Sequence, residues 1–132
     1  MKTLFKIQNL HLTISATIVF SIAFVYGLLP QKLLPNPFDF YVISTDLANI
    51  LKAIMGLYIA FALLWLLGIY NQKYYFAATV SNALFMLGLG FGRAISCLLD
   101  SIPSPIFAVG MAGELFLGIY SSILLIQKQR NN

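Results

Sequence analysis

An arginine and a glutamate lie inside apolar runs of this chain, where charged groups can do chemistry that solvated ones cannot. Arg93 sits in Gly92-Arg93-Ala94-Ile95-Ser96-Cys97-Leu98-Leu99-Asp100, and Glu114, the sole glutamate, in Gly113-Glu114-Leu115-Phe116-Leu117. At about 100° per residue Arg93, Ser96 and Asp100 share one helix face, so one side of that segment is polar. An arginine keeps its proton and costs at least ~2.5 kcal/mol at the centre of a membrane helix, whereas a lone carboxylate there would sooner become protonated. Pairing Arg93 with Glu114 relieves both. A second polar stripe, Asp46, Asn49 and Lys52, runs down another apolar segment, and at 1.5 Å per residue Lys52 lies ~9 Å along the axis from Asp46. Asp46, Asn49, Lys52, Arg93, Ser96, Asp100 and Glu114 together form the candidate ligand-binding set. Three uses of that set stay open: an ion-pair network holding helices together, a seat for a polar headgroup, and acid–base or proton-coupled chemistry through Glu114. No catalytic residue can be assigned, because Ser96 has no histidine in reach to activate it.

The elements that must position these residues follow from composition. The chain has 132 residues, 60% of them apolar and only 9% charged, which excludes an ordinary soluble domain. A hydrocarbon core ~30 Å thick needs about 20 apolar residues per helix, and the sequence supplies four such runs, over about 10–29, 46–70, 75–99 and 105–127. The expectation is an all-α, integral membrane four-helix bundle forming a single domain over 1–132. The first run is too long for a signal-peptide core and lacks a small-x-small cleavage site, so it is read as a retained helix. The outer connection, 30–45, carries Pro35-Asn36-Pro37 and the aromatic anchors Phe38 and Tyr41, as an interfacial linker or a lid. Lys2, Lys6, Lys73, Lys128 and Arg130 flank the runs on one side and Lys32 on the other, which puts both termini in the cytoplasm. Asp39, Asp46 and Asp100 then lie toward the outer side.

The net charge of +4 comes from single basic residues at run ends, not from a basic face, so nucleic acid is excluded as a partner. One cysteine, Cys97, permits no internal disulfide, and no ligand cluster calls for a metal or cofactor. The single histidine, His11, is expected at a solvated membrane edge. Trp65 and Tyr70 are expected to face lipid or an inner aromatic belt, and Asn82 to bond across the bundle. Gly88-Leu89-Gly90-Phe91-Gly92 follows no strand and has the wrong glycine spacing for a dinucleotide fingerprint. Its Gly88 and Gly92, continued by Ser96, are instead expected to let a neighbouring backbone approach. Gly110, Gly113, Gly118 and Ser121 surround Glu114 with small residues that could admit a helix or a ligand.

Three stretches carry a family resemblance: Asp46-Leu47-Ala48-Asn49-Ile50-Leu51-Lys52-Ala53-Ile54-Met55-Gly56-Leu57-Tyr58, Gly92-Arg93-Ala94-Ile95-Ser96 followed by Asp100-Ser101-Ile102-Pro103-Ser104, and Glu114. Through them the chain resembles a bacterial family of four-helix membrane proteins, domain of unknown function 4345, over most of its length. By that likeness Lys52 stands where arginine is commoner and Ser101 where glycine is commoner. The resemblance implies a bundle in the bacterial cytoplasmic membrane and supplies no activity. The reading carried forward is a small membrane protein that binds a lipid or small amphiphile. A small proton-coupled transporter, an intramembrane enzyme on a lipophilic substrate and a structural subunit are its alternatives. The expected partners are membrane lipids, a small amphiphilic ligand and, through the small-residue faces, a second copy or a larger membrane complex.

Overall fold

The structure is a computed structural model that describes residues 7–28 and 42–130. A short 3-10 turn, Ile7–Asn9, leads into α1 (Leu10–Leu28), followed by α2 (Thr45–Tyr70), α3 (Gln72–Leu99) and α4 (Pro105–Arg130). All four are long and apolar enough to cross a membrane. Phe38, Tyr41 and most of the 30–45 connection lie outside the described residues.

The helix ends have local causes. The Ser44 hydroxyl accepts from the Leu47 N–H at 3.1 Å and starts α2, satisfying one of the donors that a first turn leaves open. Between α2 and α3 the break is narrower than the gap between the expected runs 46–70 and 75–99. Asn71 alone separates them: its N–H donates to the Leu67 carbonyl at 2.9 Å and its side-chain oxygen accepts from the Lys73 N–H at 3.0 Å. One residue thus closes one helix and caps the next. At the start of α4 the Ser104 carbonyl accepts from Phe107 and Ala108, and Pro105 begins the helix, where its missing N–H costs nothing.

Sequential helices pack together, α1 on α2, α2 on α3 and α3 on α4, while α1 and α4 barely touch. The core is aromatic where α2 meets its neighbours. Tyr58 packs edge-on against Tyr26 of α1 and Phe85 of α3, and Phe85 also meets Phe61 and Trp65. Trp65, expected from the sequence to face lipid, is fully buried, and its indole N–H donates to the Ser81 hydroxyl at 3.1 Å. The reason is register: Leu51, Tyr58, Ala62, Trp65 and Ile69 recur at helical spacing and form the buried face of α2. Two hydrogen bonds set α1 parallel to α3. Tyr75 donates to the Gln8 carbonyl at 2.8 Å and Arg93 donates to the Tyr26 hydroxyl at 3.2 Å, each joining residues 67 apart. The two helices therefore keep one register along their length.

Close approach of α3 and α4 depends on Gly90 and Gly118, not on the expected Gly88 and Gly92. Leu115 of α4 lies over Gly90, and Leu87 of α3 lies over Gly118. Gly88 and Gly92 are each two residues from Gly90, which turns them to the other side of α3 into open space. A Cβ at Gly118 would meet Leu87 Cγ at 2.7 Å and the Leu87 backbone nitrogen at 3.0 Å. Gly118→Ala should therefore lower stability by about 1–3 kcal/mol through overpacking. Gly88→Ala and Gly92→Ala should be neutral or stabilising by up to ~1 kcal/mol, the helix propensity gained. Thermal unfolding in detergent, followed by circular dichroism, reads both.

Candidate functional site: an ion pair beside a lateral cleft

Arg93 lies on α3 one helical turn beyond Leu89, and its aliphatic stem runs among apolar side chains. Its Nε stands 2.9 Å from Glu114 Oε2 on α4, with the two side chains only 21% and 13% exposed. The same guanidinium donates from Nη2 to the Tyr26 hydroxyl on α1 and lies over the Phe107 ring of α4, 5.2 Å from its centroid. One side chain therefore links three helices. Tyr26 is held in turn by its edge contact with Tyr58.

Because α1 and α4 do not close on one another, a cleft of about 320 Å³ remains between them. Ile18, Val19 and Ile22 of α1 form one wall, and Ile106, Val109, Gly110, Gly113 and Leu117 of α4 the other. Met86 and Leu89 of α3 and Tyr58 of α2 line the back, and Arg93 and Glu114 are its only charged groups among the described residues. A Cβ at Gly110 or Gly113 would meet nothing within 4 Å, so these two glycines widen the cleft. The arrangement is an apolar slot with one compact, electrically balanced polar spot. This is the composition of a site for a mostly apolar molecule with a small polar end.

The remaining sequence-derived candidates lie elsewhere. Asp46, Asn49 and Lys52 are exposed on α2, and none lines the cleft. The buried face through Leu51 and Tyr58 explains this: Asp46 and Asn49 project from roughly the opposite side of the helix and Lys52 from its flank. Ser96 is exposed on α3 and Asp100 just past its end, where the Ser96 hydroxyl donates to Asp100 Oδ2 at 2.8 Å. The ion pair of Arg93 and Glu114 is thus not joined by Lys52, and among the described residues it is the one carboxylate–cation contact within 4 Å. Three residues beside the cleft or the Arg93 guanidinium are not singled out by the sequence. Tyr26 and Tyr58 carry a signal only once the helix register is known, and Phe107 only once α4 is placed against Arg93.

His11 also departs from expectation. It is 1% exposed, with the rings of Tyr75 and Tyr120 packed edge-on at 6.3 and 6.0 Å. The Ile7–Asn9 turn continues the chain beyond α1 and carries His11 inside the bundle. Cys97 is free and half-buried. Among the described residues no group of three His, Cys, Asp or Glu side chains could hold a metal ion.

Removing one member of a shielded pair leaves the other charge without a partner, which in buried cases costs several kcal/mol, while apolar replacement of both is often tolerated. Arg93→Met and Glu114→Leu, made singly, should each lower stability by about 2–3 kcal/mol, below the fully buried case because both groups retain some exposure. The double variant should recover most of that loss, and a double-mutant cycle from denaturant unfolding in detergent gives the coupling.

Comparison with known proteins identifies the chain by sequence alone. No curated protein and no solved structure matches it. A family model does, over residues 7–125, a span that includes α1, α2, α3, the ion pair and most of α4. The chain belongs to the family defined by this model, Domain of unknown function (DUF4345).

Proposed function

We propose that this chain is an integral membrane protein that binds a single-chain amphiphile in the cleft between α1 and α4. Its large apolar side chains support the membrane setting. Leu57, Leu63, Leu84, Phe91, Phe116 and Ile119 are each more than half exposed on the outside of the bundle, an arrangement that water would penalise and lipid would not. The charges support an orientation. Lys73, Lys128 and Arg130 cluster at the bundle end where the described chain begins and ends, and Asp46 and Asp100 at the other. The first end is then cytoplasmic by the positive-inside rule, and the ion pair lies in the outer half.

The observation that carries the reading is the cleft itself: apolar, open sideways between two helices, and bearing Arg93 and Glu114 as its only charges among the described residues. A structural ion pair needs no slot beside it. At about 320 Å³ the cleft stands at the small end of the ~300–1,000 Å³ range of ligand sites, which favours one chain over two. The charge balance selects the head. Glu114 already neutralises Arg93, so an added carboxylate or phosphate monoester would enter a site with no spare positive charge. A hydroxylated or zwitterionic head can accept from the free guanidinium N–H groups and donate to, or pair with, Glu114.

Native mass spectrometry with equal concentrations of a monoacylglycerol, a lysophosphatidylcholine and a fatty acid of one chain length tests this. The first two should bind and the fatty acid should bind at least several-fold less. Gly113→Leu fills the cleft without touching the ion pair and should abolish binding of all three. Preference for the fatty acid would overturn the assignment of the head, and binding that survives Gly113→Leu would overturn the cleft as the site.

A further inference from the structure

A second group of buried polar side chains lies inward of the cleft and has no part in the ion pair. His11, Ser15, Thr79, Asn82 and Ser121 are each at most 1% exposed. The parallel register of α1 and α3, fixed by bonds between residues 67 apart, sets Ser15 level with Asn82, and the Ser121 hydroxyl donates to Asn82 Oδ1 at 2.7 Å. Three helices therefore contribute one polar side chain each to a single layer, and His11 lies one helical turn inward of Ser15 on the same face of α1.

Part of this layer is satisfied within the protein. Thr79 donates to the Tyr75 carbonyl at 2.8 Å, and Tyr75 spends its own hydroxyl on Gln8. The Asn82 amide nitrogen, the Ser15 hydroxyl and both ring nitrogens of His11 have no protein hydrogen bond of regular geometry, although the Gln8 backbone interacts with the His11 ring. Buried polar groups are almost always partnered, by protein or by ordered water, and leaving one unmade costs about 1–3 kcal/mol. These unmet atoms lie on α1 and α3, at the level where Asn82 is tied through its oxygen to Ser121 of α4, and point to a shared ligand, not to separate defects.

Its chemistry is constrained. The unmet groups include a donor (the Asn82 amide), a hydroxyl that can do either, and an imidazole that supplies one of each when neutral. No carboxylate faces the layer among the described residues, and the nearby Lys128 ammonium lies over the Tyr75 ring, 4.7 Å from its centroid. A neutral molecule that both donates and accepts fits this set, and an ion does not. Outward, the aliphatic side chains of Val19, Met86 and Leu117, at 4%, 1% and 7% exposure, separate the layer from the cleft whose inner wall they form.

We propose that Ser15, Asn82, Ser121 and His11 bound an internal water site, reached from the bundle end that carries Gln8, Tyr75 and Lys128 and sealed from the cleft by Val19, Met86 and Leu117. Through that water the His11 imidazole exchanges its ring proton with solvent while remaining buried against Tyr75 and Tyr120. The site is independent of the amphiphile reading and stands or falls without it.

The single histidine makes the test unambiguous. Full-length protein labelled with nitrogen-15 histidine, reconstituted in phosphatidylcholine vesicles, is measured by water-edited solid-state NMR. Magnetisation transfer from water to the His11 ring is expected in the unmodified protein. It should be lost in Ser15→Ala/Asn82→Leu, with helicity retained by circular dichroism, and reduced in the milder Ser15→Ala. A ring that receives no transfer from water in the unmodified protein overturns the proposal. Transfer that persists undiminished in both variants overturns it as well, since His11 would then be wetted without this layer.

Discussion

A guanidinium set among aliphatic side chains has no bulk water to spread its charge, so its neighbours must do so. Arg93 is surrounded accordingly: a carboxylate from α4 at 2.9 Å, a phenol from α1 at 3.2 Å and an aromatic face from Phe107. Each of these is a directional demand on a different helix. Together they fix where α1, α3 and α4 stand at one end of the bundle, as the bond from Tyr75 to Gln8 and the pair Ser121 and Asn82 do at the other. The helix packing between those ends is apolar and would by itself tolerate sliding; the polar ties specify one arrangement.

That arrangement leaves a cleft because the ties do not draw α1 and α4 together. Gly90 and Gly118 let α3 and α4 approach closely, and the aromatic group of Tyr58, Phe61, Trp65 and Phe85 joins α2 to α3. Across the fourth side, where α1 and α4 barely touch, Arg93 bridges from α3 to Tyr26 and Glu114. The charged pair is thus both a brace between helices beside the cleft and, among the described residues, the cleft's only charged lining. Gly110 and Gly113 add space where side chains would otherwise fill it.

Much of this was legible in the residues. Four apolar runs of sufficient length gave four helices, and an arginine and a glutamate stranded in two of them gave the ion pair, because each needs the other in a medium of low polarity. Asn82 bonds across to α4, as its place in an apolar run required. What the residues did not reveal was which way each helix faces. In a soluble helix polarity marks the outside, but here apolar side chains cover both the core and the outer surface, so the period that betrays a buried face is faint. The stripe of Asp46, Asn49 and Lys52 therefore carries no sign of its own direction, and Leu51 and Tyr58 hold the inward face of α2 instead. Trp65, with a run of apolar neighbours on every side, suits lipid or an inner aromatic belt by sequence alone, yet it lies in the core. His11 was placed by its position near a run end, where the continuing 3-10 turn and the covering rings of Tyr75 and Tyr120 could not be seen. The same limit hides the difference between Gly90 and the pair Gly88 and Gly92: spacing gives a face but not its direction.

Covalent capture inside a membrane reaches the central claim most directly, because it reports where an amphiphile rests without first removing it from lipid. A monoacylglycerol carrying a diazirine in its chain, photolysed in vesicles with the protein and mapped by peptide mass spectrometry, should label α1 around Ile18 and Ile22 and α4 around Val109 and Gly113, the two facing walls of the cleft. An even spread of label over the exposed apolar surface, or labelling centred on the open groove by Gly88 and Gly92, would contradict the account.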